Sequence, residues 1–428
     1  MRLLPLLIAG LLTFASPFAP AAGGPYGKYF VEAEQVWPDE TSPDPATPLS
    51  TSSGKQSAAL ISALSERLIE QEYRDGPYAM SLAETLDALA RAQEAMGDIA
   101  AARKSRERAL HLIRVNDGLY SVAQRPVLRA MLDSLRREGD FAALDERYNY
   151  FFRLYGSGQP PWDGLRWSAT MEYLRWQREV LRRGLDRDLV TRLLDLYGMH
   201  EDLLQTLVSG ERGVDYLRFK DATFSQLKTL YLIEDLVEPQ PFYRDRRTRF
   251  PSSADDPRDF NLQQERLENL QRTVRPAGRR LLEDLLEVIP PEDLELRAET
   301  QLALADWLQW HGSSREARGV YEELWRDLEV AGLKSLAVEW FSTPVPLPDN
   351  GVFRESGQEE GDGLFLVRLK VREDGRAIAH VAPKGPGQTR SGVLLQRYIQ
   401  TTRFRPAMED GRIISSENVE ARYKLIQR

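Results

Sequence analysis

The sequence predicts a mostly α protein: a helical-repeat body followed by a small α+β domain of ββαβ order. Three observations carry this. From about Ala58 to Gly332, amphipathic helical patterns follow one another with little sign of strands. After Leu364 the apolar period switches to two, then to a helical stripe, then back to two. Formal charge divides at the same place. Residues 363–428 hold 13 Lys and Arg against 6 Asp and Glu, a net +7, and the whole chain is −8, so the rest carries −15. With 428 residues, 42% hydrophobic and 29% charged, the chain is long enough for at least two domains and has a soluble protein's composition.

The first 21 residues read as a secretory signal. Arg2 forms a short basic region, Leu3–Ala15 an apolar run, and Ala19-Pro20-Ala21 places small residues around a cleavage point after Ala21. The expectation is an exported, periplasmic protein of a Gram-negative envelope. No later stretch reaches the ~18 apolar residues of a spanning helix. The chain has no cysteine, which excludes disulfides, thiolate catalysis, cysteine-ligated metals and a lipobox anchor. Residues 22–56, rich in Pro, Ser, Thr and Gly without a sustained period, read as a flexible linker.

Residues 57–341 read as the helical domain. In its clearest unit, 85–113, Leu86, Leu89 and Ala90 share a helix face, Gly97-Asp98 makes a turn, and Ala102 and Ala109 lie on the next helix. A second unit has Leu128 and Met131, the turn Gly139-Asp140, then Tyr148 and Phe151. A third has Leu304-Ala305, Gly312-Ser313, Ala317 and Tyr321. On these residues each unit resembles a tetratricopeptide repeat, whose small residues let paired helices pack closely. Gln93, Arg106 and Arg114 depart from the family's pattern. The first two Gly-Asp turns lie 42 residues apart, against about 34 in the family. Tyr173–Leu193 and Asp221–Asp235 give helical patterns without a turn signature. Residues 239–261 read as a long loop bearing Arg244, Arg246, Arg247 and Arg249. Pro276 is expected to kink or split the helix spanning Asn261–Ile289. Residues 342–362, with three Pro, three Gly and five acidic residues, read as an acidic linker.

Residues 363–428 form the last module. Phe365, Val367, Leu369 and Val371 alternate along a first strand, and Asp374-Gly375 signals a hairpin into a second through Arg376–Ala382. Val393, Leu394, Leu395, Tyr398 and Ile399 give a helical stripe. The final strand, 418–427, puts Val419, Ala421, Tyr423 and Leu425 on one face. Together with Gly363, Gly375, Phe404-Arg405-Pro406-Ala407 and Gly411, this layout resembles the C-terminal domain of the TonB family, energy transducers that touch outer-membrane transporters. The likeness covers about 65 residues and implies a protein-contacting module. It departs at the N-terminus, where a transducer keeps a membrane helix and usually a Pro-rich spacer. Here the apolar segment is short and carries Pro5, Pro17 and Pro20.

No residue constellation points to catalysis, a metal or a cofactor. The four histidines, His111, His200, His311 and His380, show no metal spacing and read as surface or capping residues. There is no G-x-S-x-G elbow and no phosphate loop. The adjacent carboxylates Glu283/Asp284 and Glu322/Glu323 read as solvated surface, and the tryptophans as core. The acidic body lacks a basic motif interleaved with aromatics, which argues against nucleic acid.

Binding remains. A stack of helix pairs presents a concave surface, and Asp87, Arg91 and Glu94 are candidates to line it. The candidate contact of the terminal module is the last strand, Val419, Glu420, Ala421, Arg422, Tyr423, Lys424 and Leu425. An edge strand accepts an extended peptide through its unpaired backbone groups, and nothing downstream is expected to cover this one. Arg422 and Lys424 favour an acidic peptide. The function so predicted is an exported adaptor for other envelope proteins or extended peptides, among them a segment of an outer-membrane transporter. A membrane-anchored transducer and an envelope enzyme with an unrecognised site are the alternatives.

Overall fold

The computed structural model describes residues 30–32, 54–186, 188–209, 214–236, 257–353, 364–382 and 389–425. The expected signal peptide, most of the first linker, and the arginines of the 239–261 segment lie outside these residues. The described chain is mostly helical with a small sheet region near the C-terminus. It divides into two compact units. One comprises the described residues from Gly54 to Ile289; the other joins Phe30–Glu32 to the described chain from Pro290 onwards.

The first unit contains α1 (Gly54–Asp75), α2 (Ser81–Ala95), α3 (Ile99–Asp117), α4 (Arg125–Glu138), α5 (Phe141–Leu154), α6 (Gly164–Arg183), α7 (Leu189–Val208), α8 (Tyr216–Leu236) and α9 (Pro257–Val288). The Gly-Asp turns work as their chemistry requires. Gly97 and Gly139 sit at φ +81° and +73°, a region that penalises any side chain bearing a Cβ. The aspartate that follows caps the next helix: Asp98 Oδ1 accepts from Ala101 N at 3.1 Å, and Asp140 Oδ1 from Ala143 N at 3.2 Å. Ala90, Ala102 and Ala109 are fully buried, so paired helices approach closely. Leu128, Leu132, Tyr148, Phe151 and Trp176 form the core where α4, α5 and α6 meet.

Three expectations change here. The Tyr173–Leu193 pattern is two helices, because Gly184 at φ +64° ends α6. Helix α9 begins at Pro257, inside the expected loop, and runs unbroken past Pro276. His200 is neither at the surface nor at a helix end: it lies within α7 and is fully buried. Its Nδ1 is 2.8 Å from the Leu196 carbonyl, which only accepts, so Nδ1 carries the proton. Nε2 then accepts from the Ser225 hydroxyl on α8 at 2.9 Å, and that oxygen accepts in turn from Arg178 at 2.7 Å.

The second unit contains β1 (Phe30–Glu32), α10 (Leu294–Trp310), α11 (Ser314–Val330), α12 (Lys334–Phe341) and β2 (Val345–Pro346). It continues through β3 (Leu364–Val371), β4 (Ala377–Ala382), α13 (Thr389–Thr401), β5 (Phe404–Arg405), β6 (Met408–Glu409), β7 (Arg412–Ile413) and β8 (Ser416–Leu425). The ββαβ order is present as β3, β4, α13 and β8. The helix pair α10–α11 belongs with this sheet rather than with the preceding helices. The segment expected to be a linker is structured over its first half. Val345, Leu347, Val352 and Phe353 are buried, and β2 pairs antiparallel with β5. Its prolines and acidic residues mask these apolar positions.

Candidate partner-binding edge

The sheet order is β1-β8-β3-β4, all antiparallel. Alternation along β3 and β8 sends Phe365, Val367, Leu369, Ala421 and Tyr423 into one core, which Leu395 and Ile399 of α13 cover. The opposite face is charged. Glu420 meets Arg368, its cross-strand neighbour, at 3.1 Å, and Glu417 pairs with Lys370.

The β3–β4 hairpin is fastened to the end of α10. Gln309 Nε2 donates to the Asp374 carbonyl at 2.8 Å and to the Phe404 carbonyl at 3.1 Å. Gly375, at φ +73°, admits this approach: a Cβ there would lie 1.8 Å from Gln309 Nε2 and 2.3 Å from the Phe404 oxygen. The Phe404-Arg405-Pro406-Ala407 segment is held by a buried ion pair. Arg405 Nε and Nη2 donate to the two oxygens of Asp306 on α10 at 2.9 and 2.6 Å. Arg405 Nη1 also donates to the Trp340 carbonyl at 3.3 Å, and the Tyr321 hydroxyl donates to Asp306 at 2.8 Å. Burial opposes the Arg405 charge, but Asp306 and Asp349 outweigh it and hold its pKa above the ordinary value. The β3–β4 hairpin and β5 are thus both tied to α10.

On β8, Ala421 and Tyr423 are buried, Val419 is half-buried, and Glu420 and Arg422 are exposed. One long side of β8 pairs with β3. The other side is partly occupied, by a segment from upstream. Phe30, Val31 and Glu32 pair antiparallel with Leu425, Lys424 and Tyr423. Thus, among the described residues, Tyr423 and Lys424 have a strand neighbour on each side, Leu425 pairs with Phe30 of β1, and Val419–Arg422 have a described strand on the β3 side. Below them the ladder is interrupted. The register shifts between Leu369 and Val371, and Asn418 takes φ +57°, the signature of a bulge.

The three charged candidates of the helical unit are engaged within it. Glu94 accepts from Arg106, which is 2% exposed, with Nη2 at 2.8 Å, and also meets Arg137 at 3.4 Å. Burial works against ionisation of Glu94, but the Arg106 contact outweighs it and keeps the carboxyl below its usual range. Asp87 pairs with Arg91 at 2.5 Å along the same helix. Only Arg91 of the three is well exposed. Asp87 and Glu94 tie α2 to Arg106 of α3, and Glu94 also to Arg137 of α4, whereas the Arg91 ion pair stays within α2.

An open pocket of about 500 Å³ in the second unit is lined by Arg318, Glu322, Arg326, Gly411, Arg412 and Ile413. It gathers cations around one carboxylate and brings no nucleophile to a base. Among the described residues no cluster of three or more His, Asp or Glu is placed to hold a metal, and no helix is long and apolar enough to cross a membrane. No protein-family model matches the chain, and no curated protein is significantly similar to it.

Proposed function

We propose that the chain is an exported adaptor of the cell envelope that captures an extended segment of another protein by adding it as a strand to β8. The observation that supports this is the outer side of β8, which already takes an antiparallel strand from a distant part of the chain. Backbone pairing of that kind is how sheet edges bind peptides. About five such hydrogen bonds at ~1 kcal/mol net each give roughly 5 kcal/mol before ordering costs, so binding is micromolar at best and the contact transient. The exposed Arg422, with Lys424 next but one in sequence, favours an acidic segment. The TonB resemblance of residues 363–428 suggests an outer-membrane transporter as its source. The helical unit, read as tetratricopeptide-like, offers a second contact surface on which Arg91 is the exposed candidate.

Site-specific photo-cross-linking in envelope extract tests this. A photoreactive residue at Glu420, beside the edge, is expected to give a discrete adduct with an extended segment of one polypeptide. The same probe at Tyr73, 95% exposed on α1, is expected to give none. Equal labelling from both positions, or no adduct from position 420, contradicts the proposal.

A further inference from the structure

We propose that Phe30–Glu32 is a resident strand on the peptide-accepting side of β8, and that an incoming partner strand has to displace it. This inference rests on the strand-addition reading above and names how the same edge is controlled. The bulge at Asn418 and the register shift beside it end the regular ladder, so the usable edge is the seven positions Val419–Leu425. Three of these, Tyr423, Lys424 and Leu425, are taken by Glu32, Val31 and Phe30, which leaves at most the four positions Val419–Arg422. Strands in folded proteins usually run to about 5–6 residues. Four positions fall short of that length and seven exceed it, so stable addition of a partner needs the part that β1 holds.

The resident is built to leave. Among the described residues the pairing spans three positions, fewer than an ordinary strand, and it lies at the C-terminal end of β8, where a strand frays first. Its advantage over a free peptide is its tether, which acts as a high effective concentration rather than as tighter contact. The partner that fits is therefore an extended peptide entering antiparallel to β8, as β1 does, and reaching past Arg422 to the end of the strand.

The absence of cysteine in the chain makes a clean lock possible. Val31 and Lys424 are cross-strand neighbours, and directly opposed residues in an antiparallel pair lie within the Cα range of a disulfide. Three full-length forms are compared: the parent, Val31→Pro to weaken the resident strand, and the double variant Val31→Cys/Lys424→Cys. The probe is a fluorescein-labelled synthetic peptide of residues 26–36, the chain's own strand, read by anisotropy. Val31→Pro is expected to bind it roughly tenfold or more tightly than the parent. The oxidised double variant is expected to show no binding until a reductant opens the lock. Should Val31→Pro lose its native circular dichroism, the oxidised and reduced double variant decide the matter alone. If all forms bind the peptide equally, β1 is no gate and the edge reading stands. If no form binds it, including the reduced double variant, the edge reading falls and the inference with it.

Discussion

Arg405→Ala is expected to destabilise the C-terminal unit by about 3–5 kcal/mol, because it strands a buried carboxylate. Arg405 is 3% exposed, and both oxygens of Asp306 depend on it. Removing the guanidinium leaves Asp306 with the Tyr321 hydroxyl and little water. It also frees β5 from α10, and with it the base on which the β3–β4 hairpin rests. Two further variants separate charge from geometry. Arg405→Lys keeps the charge but loses the two-pronged hydrogen bond, so its cost is expected to be intermediate. Replacing both partners, Arg405→Met with Asp306→Leu, is expected to recover much of the loss, since a buried ion pair exchanged for apolar packing is often close to neutral. Urea unfolding of the full chain measures this, with the two compact units fitted as separate transitions. A loss below about 1 kcal/mol for Arg405→Ala would mean that water reaches Asp306.

Acid is expected to weaken the helical unit through His200. Burial, with the Arg178 charge nearby, pushes its pKa down from 6.5 to about 3. The unfolded chain therefore takes up the proton first as pH falls. This contribution to stability is complete above about pH 6.5 and declines toward pH 3, at about 1.4 kcal/mol per pH unit. Protonation would also turn Nε2 into a donor and break its bond from Ser225. In His200→Asn, which has no titrating group there, this part of the slope is expected to disappear although the protein is less stable throughout. Urea midpoints between pH 7 and pH 4 for parent and variant make the comparison. Parallel pH profiles would show that another group causes the acid sensitivity.

The helix pairs and the ββαβ order were legible in the sequence because they depend on local chemistry. Gly97-Asp98 and Gly139-Asp140 combine a left-handed glycine with a capping aspartate, and the period-2 runs of β3 and β8 name their own buried faces. Gly184 does the same work as Gly97, but no capping residue follows until Asp188, so that break was hidden. A second Asp-Gly turn, Asp410-Gly411, has both residues at positive φ and joins β6 to β7, yet these strands are too short to show a period. The remaining features are pairings between distant residues. A charged residue between Phe404 and Pro406 gives no sign that Asp306 will meet it, and His200 gives none of Ser225. The same holds for the candidate edge. The composition of β8 marks it as a strand, but its neighbour Phe30–Glu32 lies almost a whole chain away, in a segment whose prolines and serines suggested only a linker.

Amide hydrogen exchange along β8 in the full-length chain tests strand capture most directly. On addition of a saturating extended peptide to the Val31→Pro form, the outward-facing amides between Val419 and Leu425 are expected to slow, with those of β4 unchanged. Protection that appears on β4 instead, or nowhere in the sheet, would contradict capture at β8.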